Sequence, residues 1–368
     1  MTRDEYIPTL DGWRAVAIGG VTVAHATFAI FREGGTSPNA TLFAATRYGA
    51  LGVDLFFAIS GFLICSRLAH EFEQRNDLDL RRFYIRRVFR IVPPYLVTLL
   101  TVSLLGAAGL VTMPRREFWS CLLFLRNYLA SSSEYSGWYT AHFWSLSVEE
   151  HFYLLWPTLL LAWTPVRGLR NVAILACAIA VWRAVDFRLH VVPLGFAPFF
   201  TRTDIRIDAL LWGCFAALLL RDSARREQCR RWLTPAVWCA AVALYAMCAV
   251  FLPPFAMTWE AMLAPVIVIG TVLNPHAVIG RLLEMRALRW VGRMSYSFYL
   301  WQTPFFGPGT PTGVAVLQTF PWNVCAAFGA AAVSYYAIER PMIRIGHRLT
   351  ARSSVPAAMA RASEAPAF

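Results

Sequence analysis

The first apolar segment, "LDGWRAVAIGGVTVAHATFAI", carries two ionisable side chains, Arg14 and His25, eleven positions apart. In a helix turning about 100° and rising about 1.5 Å per residue, they share one face roughly 16 Å apart. A guanidinium suits a phosphate, because its fork of donors matches phosphate oxygens. An imidazole can take a proton from a hydroxyl that attacks an activated acyl carbon. The segment "HFWSLSVEEHFYLLW" (142–156) adds two adjacent carboxylates, Glu149 and Glu150, inside an aromatic and apolar run. An ionised carboxylate in hydrocarbon is costly, so such residues face a protein interior or a wet cavity. A carboxylate bound to one imidazole nitrogen fixes the tautomer and makes the other nitrogen a better base. Asp54, in "YGALGVDLFFAISGFLI", is a third acid at similar depth, and "TRTDIRIDALLWG" brings Arg202, Asp204, Arg206 and Asp208 near the same level. Four segments thus offer ionisable groups to one stratum. Glu149 and Asp54 are the candidates to orient His25; which acid pairs with it is open. Adjacent residues point about 100° apart, so only one of the two glutamates need face His25. Glu150, Arg206 and Asp208 are assigned to the acceptor. Alternatively, Asp54 and Asp208 pair with Arg206 or Arg202 and only hold helices together.

These residues must be positioned by membrane helices. The chain has 368 residues, of which 57% are hydrophobic and 15% charged, and its mean hydropathy is +0.48. Apolar runs near 10–31, 47–67, 89–110, 143–163, 170–190, 205–221, 232–252, 256–273, 289–306 and 315–338 approach the roughly 20 residues that cross a bilayer core. The fold class expected is all-α: a polytopic membrane helix bundle of about ten transmembrane helices. All 34 basic residues are arginine, and they cluster in alternate connections: 67–90, Arg167 with Arg170, "RDSARREQCRR", the loop with Arg281, Arg286 and Arg289, and the tail. "LPPFA" and "TPFFGPGTPTG" contain none. By the positive-inside rule both termini are cytoplasmic. The same clustering argues against nucleic acid as a partner despite a net charge of +12. Residues 111–142 are short and interrupted by Arg126, which suits interfacial or re-entrant structure. The organisation expected is a membrane domain over 1–340 and a tail over 341–368, basic and then disordered.

A second arginine group lies in "RRFYIRRVFRIVPP". Arg82, Arg86 and Arg90 share a face at i, i+4 spacing, with Arg87 offset. They are either a topology determinant or a phosphate site entered from the cytoplasm.

In order and spacing these blocks resemble the acyltransferase-3 family of integral membrane O-acyltransferases. The resemblance covers nearly the whole chain: "LDGWRAVAI" with Arg14 and His25, "GVDLFFAISGFLI", "RRVFRIVPPY" with Arg87 and Arg90, "FWSLSVEEHFYLLWP", "TRTDIRIDALLWG", "VGRMSYSFYLWQTP" and "AIERP". It implies an enzyme of the inner (plasma) membrane that transfers an acyl group, commonly acetyl from acetyl-coenzyme A, to a hydroxyl of a sugar or glycosylated acceptor. It also implies essential roles for Arg14 and His25 and for Arg87 and Arg90; Arg14, Arg87 and Arg90 are the residues expected to bind the donor's phosphates. No bound cofactor and no metal are expected; the acyl-coenzyme A is a substrate, and membrane lipids surround the bundle. One departure is Gln302, where many relatives have histidine after "YLW". The competing expectation is a proton- or solute-coupled transporter using the same histidine and carboxylates as a relay.

Overall fold

The computed structural model describes residues 6–34, 40–129, 137–193, 198–250, 255–307 and 315–352. These residues are helices and connections, with no strand among them. The chain opens with three long helices, α1 (Pro8–Gly34), α2 (Ala40–Arg75) and α3 (Leu80–Ala107). Two short ones follow, α4 (Arg115–Leu122) and α5 (Trp138–Ala141), and then α6 (Phe143–Leu189). The second half holds α7 (Thr203–Arg206), α8 (Asp208–Leu219), α9 (Ser223–Trp232), α10 (Pro235–Cys248) and α11 (Phe255–Leu273). It closes with α12 (Val278–Leu283), α13 (Arg286–Trp301), α14 (Thr303–Phe306), α15 (Trp322–Ser334), a π-helical turn at Tyr335–Glu339, and α16 (Arg340–Arg352).

By length and apolar composition, three described helices can cross a membrane: Arg47–Arg75 within α2, α3 and α11. The pair α9 and α10, bent by 79° at its junction, makes a fourth candidate. The apolar runs of the sequence therefore map onto helices unevenly. Runs 143–163 and 170–190 both fall in α6, whose 47 residues continue through the connection expected at Arg167 and Arg170. Run 205–221 breaks at Ile207 into α7 and α8, and run 289–306 breaks at Gln302 into α13 and α14. Residues 111–142 form only short helical pieces where described, as expected for a non-spanning stretch. The basic residues expected to begin the tail instead form α16, which packs on α3, with the Arg86 Nε donating to Thr350 Oγ1 at 3.0 Å. Residues 353–368, expected to be disordered, lie outside the described residues.

The helix that carries Arg14 and His25 is held on two sides. α1 packs against α2 and α13, and at both seams the backbones approach through glycine. A Cβ on Gly52 would collide with the Ala17 carbonyl, and one on Gly292 with the Asp11 carbonyl. Between membrane helices such close approach supplies the attraction that apolar burial cannot, since lipid is as apolar as leucine. Two buried apolar clusters meet at α1. One joins Trp13 and Ala17 to Phe57, Trp156 and Leu210. The other joins Ile18 and Val21 to Tyr95, Phe143 and Phe298. The rotation of α1, and with it the aim of both side chains, is therefore fixed.

Candidate active site

Arg14, Arg87 and Arg90 line one cavity of about 880 Å³ between α1, α2, α3, α6 and α13. Arg14 comes from the first third of α1, Arg87 and Arg90 from the first half of α3, just before Pro93 and Pro94. Arg67, Arg82, Arg221 and Arg293 also reach this cavity, which makes one end of it strongly basic. The guanidiniums of Arg14, Arg87 and Arg90 make no ion pair or hydrogen bond among the described residues. Arg87 lies over the ring of Tyr153, 5.1 Å from its centroid, and Phe83, at 5.7 Å. Arginine forks gathered on one cavity suit phosphate oxygens, although Glu149, Glu150 and Glu339 line the same cavity.

Glu149 and Glu150 both face this cavity. Glu149 accepts from the Ser60 Oγ at 2.9 Å and the Tyr153 hydroxyl at 3.0 Å, so both its oxygens are occupied. Glu150 keeps one buried oxygen without a partner. Glu339, delivered by the π-helical turn, is buried on the opposite wall and accepts from the Ser297 Oγ at 2.7 Å. A π-turn adds a residue to the helical repeat and so re-aims the side chains after it, a device common at functional sites.

His25 stands elsewhere. It is not part of the cavity wall, and no carboxylate contacts it among the described residues. Its neighbours are the His142 ring, with centroids 6.0 Å apart, the Trp138 ring at 6.3 Å, and the Gln302 side chain, which approaches the imidazole. Gln302 is fully buried, and its amide also donates to the Tyr299 carbonyl at 3.3 Å. The Nδ1 atom of His25 is buried without a partner.

Three expectations are corrected by these contacts. Asp54 does not orient His25: Arg206 donates to it at 2.8 Å, and both are buried. Glu149 does not orient His25 either, because Ser60 and Tyr153 turn its carboxylate into the basic cavity. Arg206 and Asp208, assigned to the acceptor, are instead tied up within the protein. Arg183 grips Asp208 with two donors, at 2.9 and 2.8 Å, and also donates to Thr258 at 2.8 Å. Arg202 bridges Asp186 at 2.7 Å and Asp204. These pairs link α2, α6, α7 and α8; the helix-holding alternative describes Asp54 with Arg206, whereas Asp208 takes Arg183 rather than Arg206 or Arg202. Glu150, also assigned to the acceptor, lies with the arginines. The histidine–carboxylate relay on which the transporter expectation rested is not formed.

Sequence reasoning passed over Arg183, Tyr153, Ser60 and His142. Arg183 lies deep inside an apolar run, which by itself signals a buried partner. His142 directly precedes the "FWSL" block but was not assigned a role.

The comparisons with known proteins accord with the sequence pattern. Residues 7–339 match the family described as an acyltransferase domain. Peptidoglycan O-acetyltransferase OatA of Listeria monocytogenes is 27% identical over 371 residues, covering 93% of this chain and 56% of the relative. O-acetyltransferase OatA of Staphylococcus aureus (strain NCTC 8325) is 26% identical over 372 residues, covering 95% of this chain and 59% of the relative. The chain thus spans a little over half the length of these relatives. No solved structure matches it.

Proposed function

The chain belongs to the acyltransferase-3 family of acyltransferase domains, and from that premise we propose that it moves an acyl group, acetyl by preference, from acyl-coenzyme A to a hydroxyl of a cell-envelope glycan. The observation that carries this reading is the set of three arginines, Arg14, Arg87 and Arg90, that line one cavity without a salt bridge among the described residues. Elsewhere in the bundle Arg183, Arg202 and Arg206 are each matched to an acid. Glu149, Glu150 and Glu339 offset their charge from a distance, while the guanidinium forks themselves are of the kind that grips a polyanion. The phosphates of coenzyme A are such a polyanion. The basic end of the cavity faces the cytoplasm of an inner-membrane, multi-pass protein, and the pantetheine arm runs from it toward His25. The roughly 16 Å from Arg14 to His25 along α1 is comparable to that arm when extended.

His25 is the base in this reading. With no carboxylate beside it, the Gln302 amide takes the orienting part. A hydroxyl entering against Trp138 and His25 would lose its proton to the imidazole as its oxygen attacks the thioester carbonyl. Trp138 is the aromatic ring beside His25 that an acceptor sugar would meet there. The acceptor is taken as a peptidoglycan-type glycan because two relatives carry O-acetyltransferase names, one of them for peptidoglycan.

The test is direct. Purified protein in nanodiscs, given acetyl-coenzyme A and a soluble peptidoglycan fragment, should release free thiol and yield an O-acetylated glycan by mass spectrometry. Arg90→Gln should raise the donor KM and His25→Ala should abolish turnover. Thiol release that is independent of both residues would overturn the reading.

A further inference from the structure

His142 packs against Tyr299, which lines the cavity proposed for the donor, and against His25, which does not line it. Ser145, Leu146 and Tyr299 form the inner end of the cavity. The Tyr299 hydroxyl donates to the His142 carbonyl at 2.7 Å and meets the Ser145 Oγ at 2.6 Å, which clamps the start of α6. The Tyr299 ring lies 5.1 Å from the His142 ring, and the His142 ring 6.0 Å from that of His25. His142 thus connects the cavity wall to His25 ring by ring.

His142 is 2% exposed, yet neither ring nitrogen completes a well-formed hydrogen bond among the described residues; the Leu300 backbone approaches it without closing one. With His25 Nδ1, that makes three buried imidazole nitrogens without partners on two neighbouring rings. A buried donor or acceptor left unmatched costs about 1–3 kcal/mol, and native proteins tolerate few of them without a functional reason. Phe143 at 4.7 Å and Tyr299 pack the ring's edges, so it is held in place rather than free to seek a partner.

We propose that His142 is a second catalytic imidazole, whose neutral ring N–H donates to the thioester carbonyl oxygen while His25 handles the proton. This rests on the acyltransferase reading and adds a residue to it. As the acceptor oxygen forms its bond to the carbonyl carbon, its proton passes to His25 and the carbonyl electrons move to oxygen. That oxyanion takes the hydrogen bond from His142. Collapse breaks the carbon–sulfur bond, and the proton on His25 passes to the leaving sulfur. Ester and free thiol result, and both rings end neutral. Two adjacent rings suit this division of labour, because simultaneous protonation would set like charges together in a dry site.

The experiment compares His142→Ala, His142→Gln and His25→Ala in nanodiscs, reading kcat, donor KM, coenzyme A affinity and thermal unfolding on each. Loss of one oxyanion donor lowers kcat by about 10²–10³-fold. The expected result is that fall in His142→Ala, with donor KM and coenzyme A affinity changed less than about threefold, and recovery of at least about tenfold in His142→Gln, whose amide restores an N–H. Should His142→Ala fail to fold, His142→Gln against His142→Leu supplies the same contrast. Retained kcat in a folded variant without an N–H, or a Gln variant no better than the Ala or Leu one, overturns the role of His142 and leaves the acyltransferase reading standing. Absence of thiol release by the unsubstituted protein overturns both.

Discussion

Arg206 donates to Asp54 at 2.8 Å across the seam between α7 and α2, with both side chains buried. That contact removes Asp54 from the acids that could serve His25 and gives it to the architecture. Asp54→Ala should leave Arg206 buried and uncompensated, at a cost of about 3–5 kcal/mol. The double variant Asp54→Leu with Arg206→Leu should recover most of that stability, since apolar replacements of buried pairs are often neutral. Thermal unfolding of detergent-solubilised protein measures both. A stable double variant that has lost turnover would return Asp54 to the reaction.

Arg90 makes no salt bridge among the described residues, Glu339 offsetting its charge only from a distance, and it lines the cavity with Arg14 and Arg87. Charge-assisted hydrogen bonds contribute about 1.5–3 kcal/mol, so Arg90→Gln should raise the donor KM roughly ten- to a hundredfold. Arg90→Lys should recover only part of that, because an ammonium cannot reproduce the planar fork. Unfolding temperature should hardly move, in contrast to the Asp54 variant. Steady-state kinetics with varied acetyl-coenzyme A decide it.

Tyr153 does two things: its hydroxyl donates to Glu149 and its ring lies under Arg87. Tyr153→Phe keeps the ring and should leave donor affinity within about threefold, whereas Tyr153→Leu loses a cation–π contact of about 0.5–2 kcal/mol. Titration with coenzyme A separates the two. Equal weakening in both variants would shift the weight to the Glu149 contact.

Gln302 is fully buried, and its side chain approaches the His25 imidazole. Gln302→Leu leaves that imidazole without a partner, a loss of about 1–3 kcal/mol, and kcat should fall roughly ten- to a hundredfold while donor KM holds. Gln302→His should keep more activity than the leucine variant, since it restores a ring nitrogen at that position. Single-turnover acetyl transfer distinguishes an effect on chemistry from one on binding.

The residues that matter were legible in the sequence to different degrees. An ionisable group in an apolar run announces itself by its cost, so Arg14, His25, Asp54, Glu149 and Glu150 stood out at once, as did the arginine cluster that precedes Pro93. Helix periodicity placed Arg14 and His25 on one face, because 3.6 residues per turn is a property of the backbone alone. The membrane-helical class and the family pattern were equally local. His142 was not legible in this sense. A histidine at the start of a helix carries no such penalty until the fold buries it.

Pairing was decided by tertiary structure. Glu149 and Glu150 sit on adjacent positions, yet nothing in their spacing says whether His25 or the arginines occupy the space they face. Close approach at Gly52 and Gly292 sets the rotation of α1, and Ser60 and Tyr153 turn Glu149 away from the imidazole. Arg183 captures Asp208 from a different helix, and only contact distance could reveal it. Sequence thus determined which charges the membrane interior must accommodate, since that cost attaches to each residue separately. Which charges cancel one another and which stay open to a ligand depends on distances between helices, and those belong to the packed bundle.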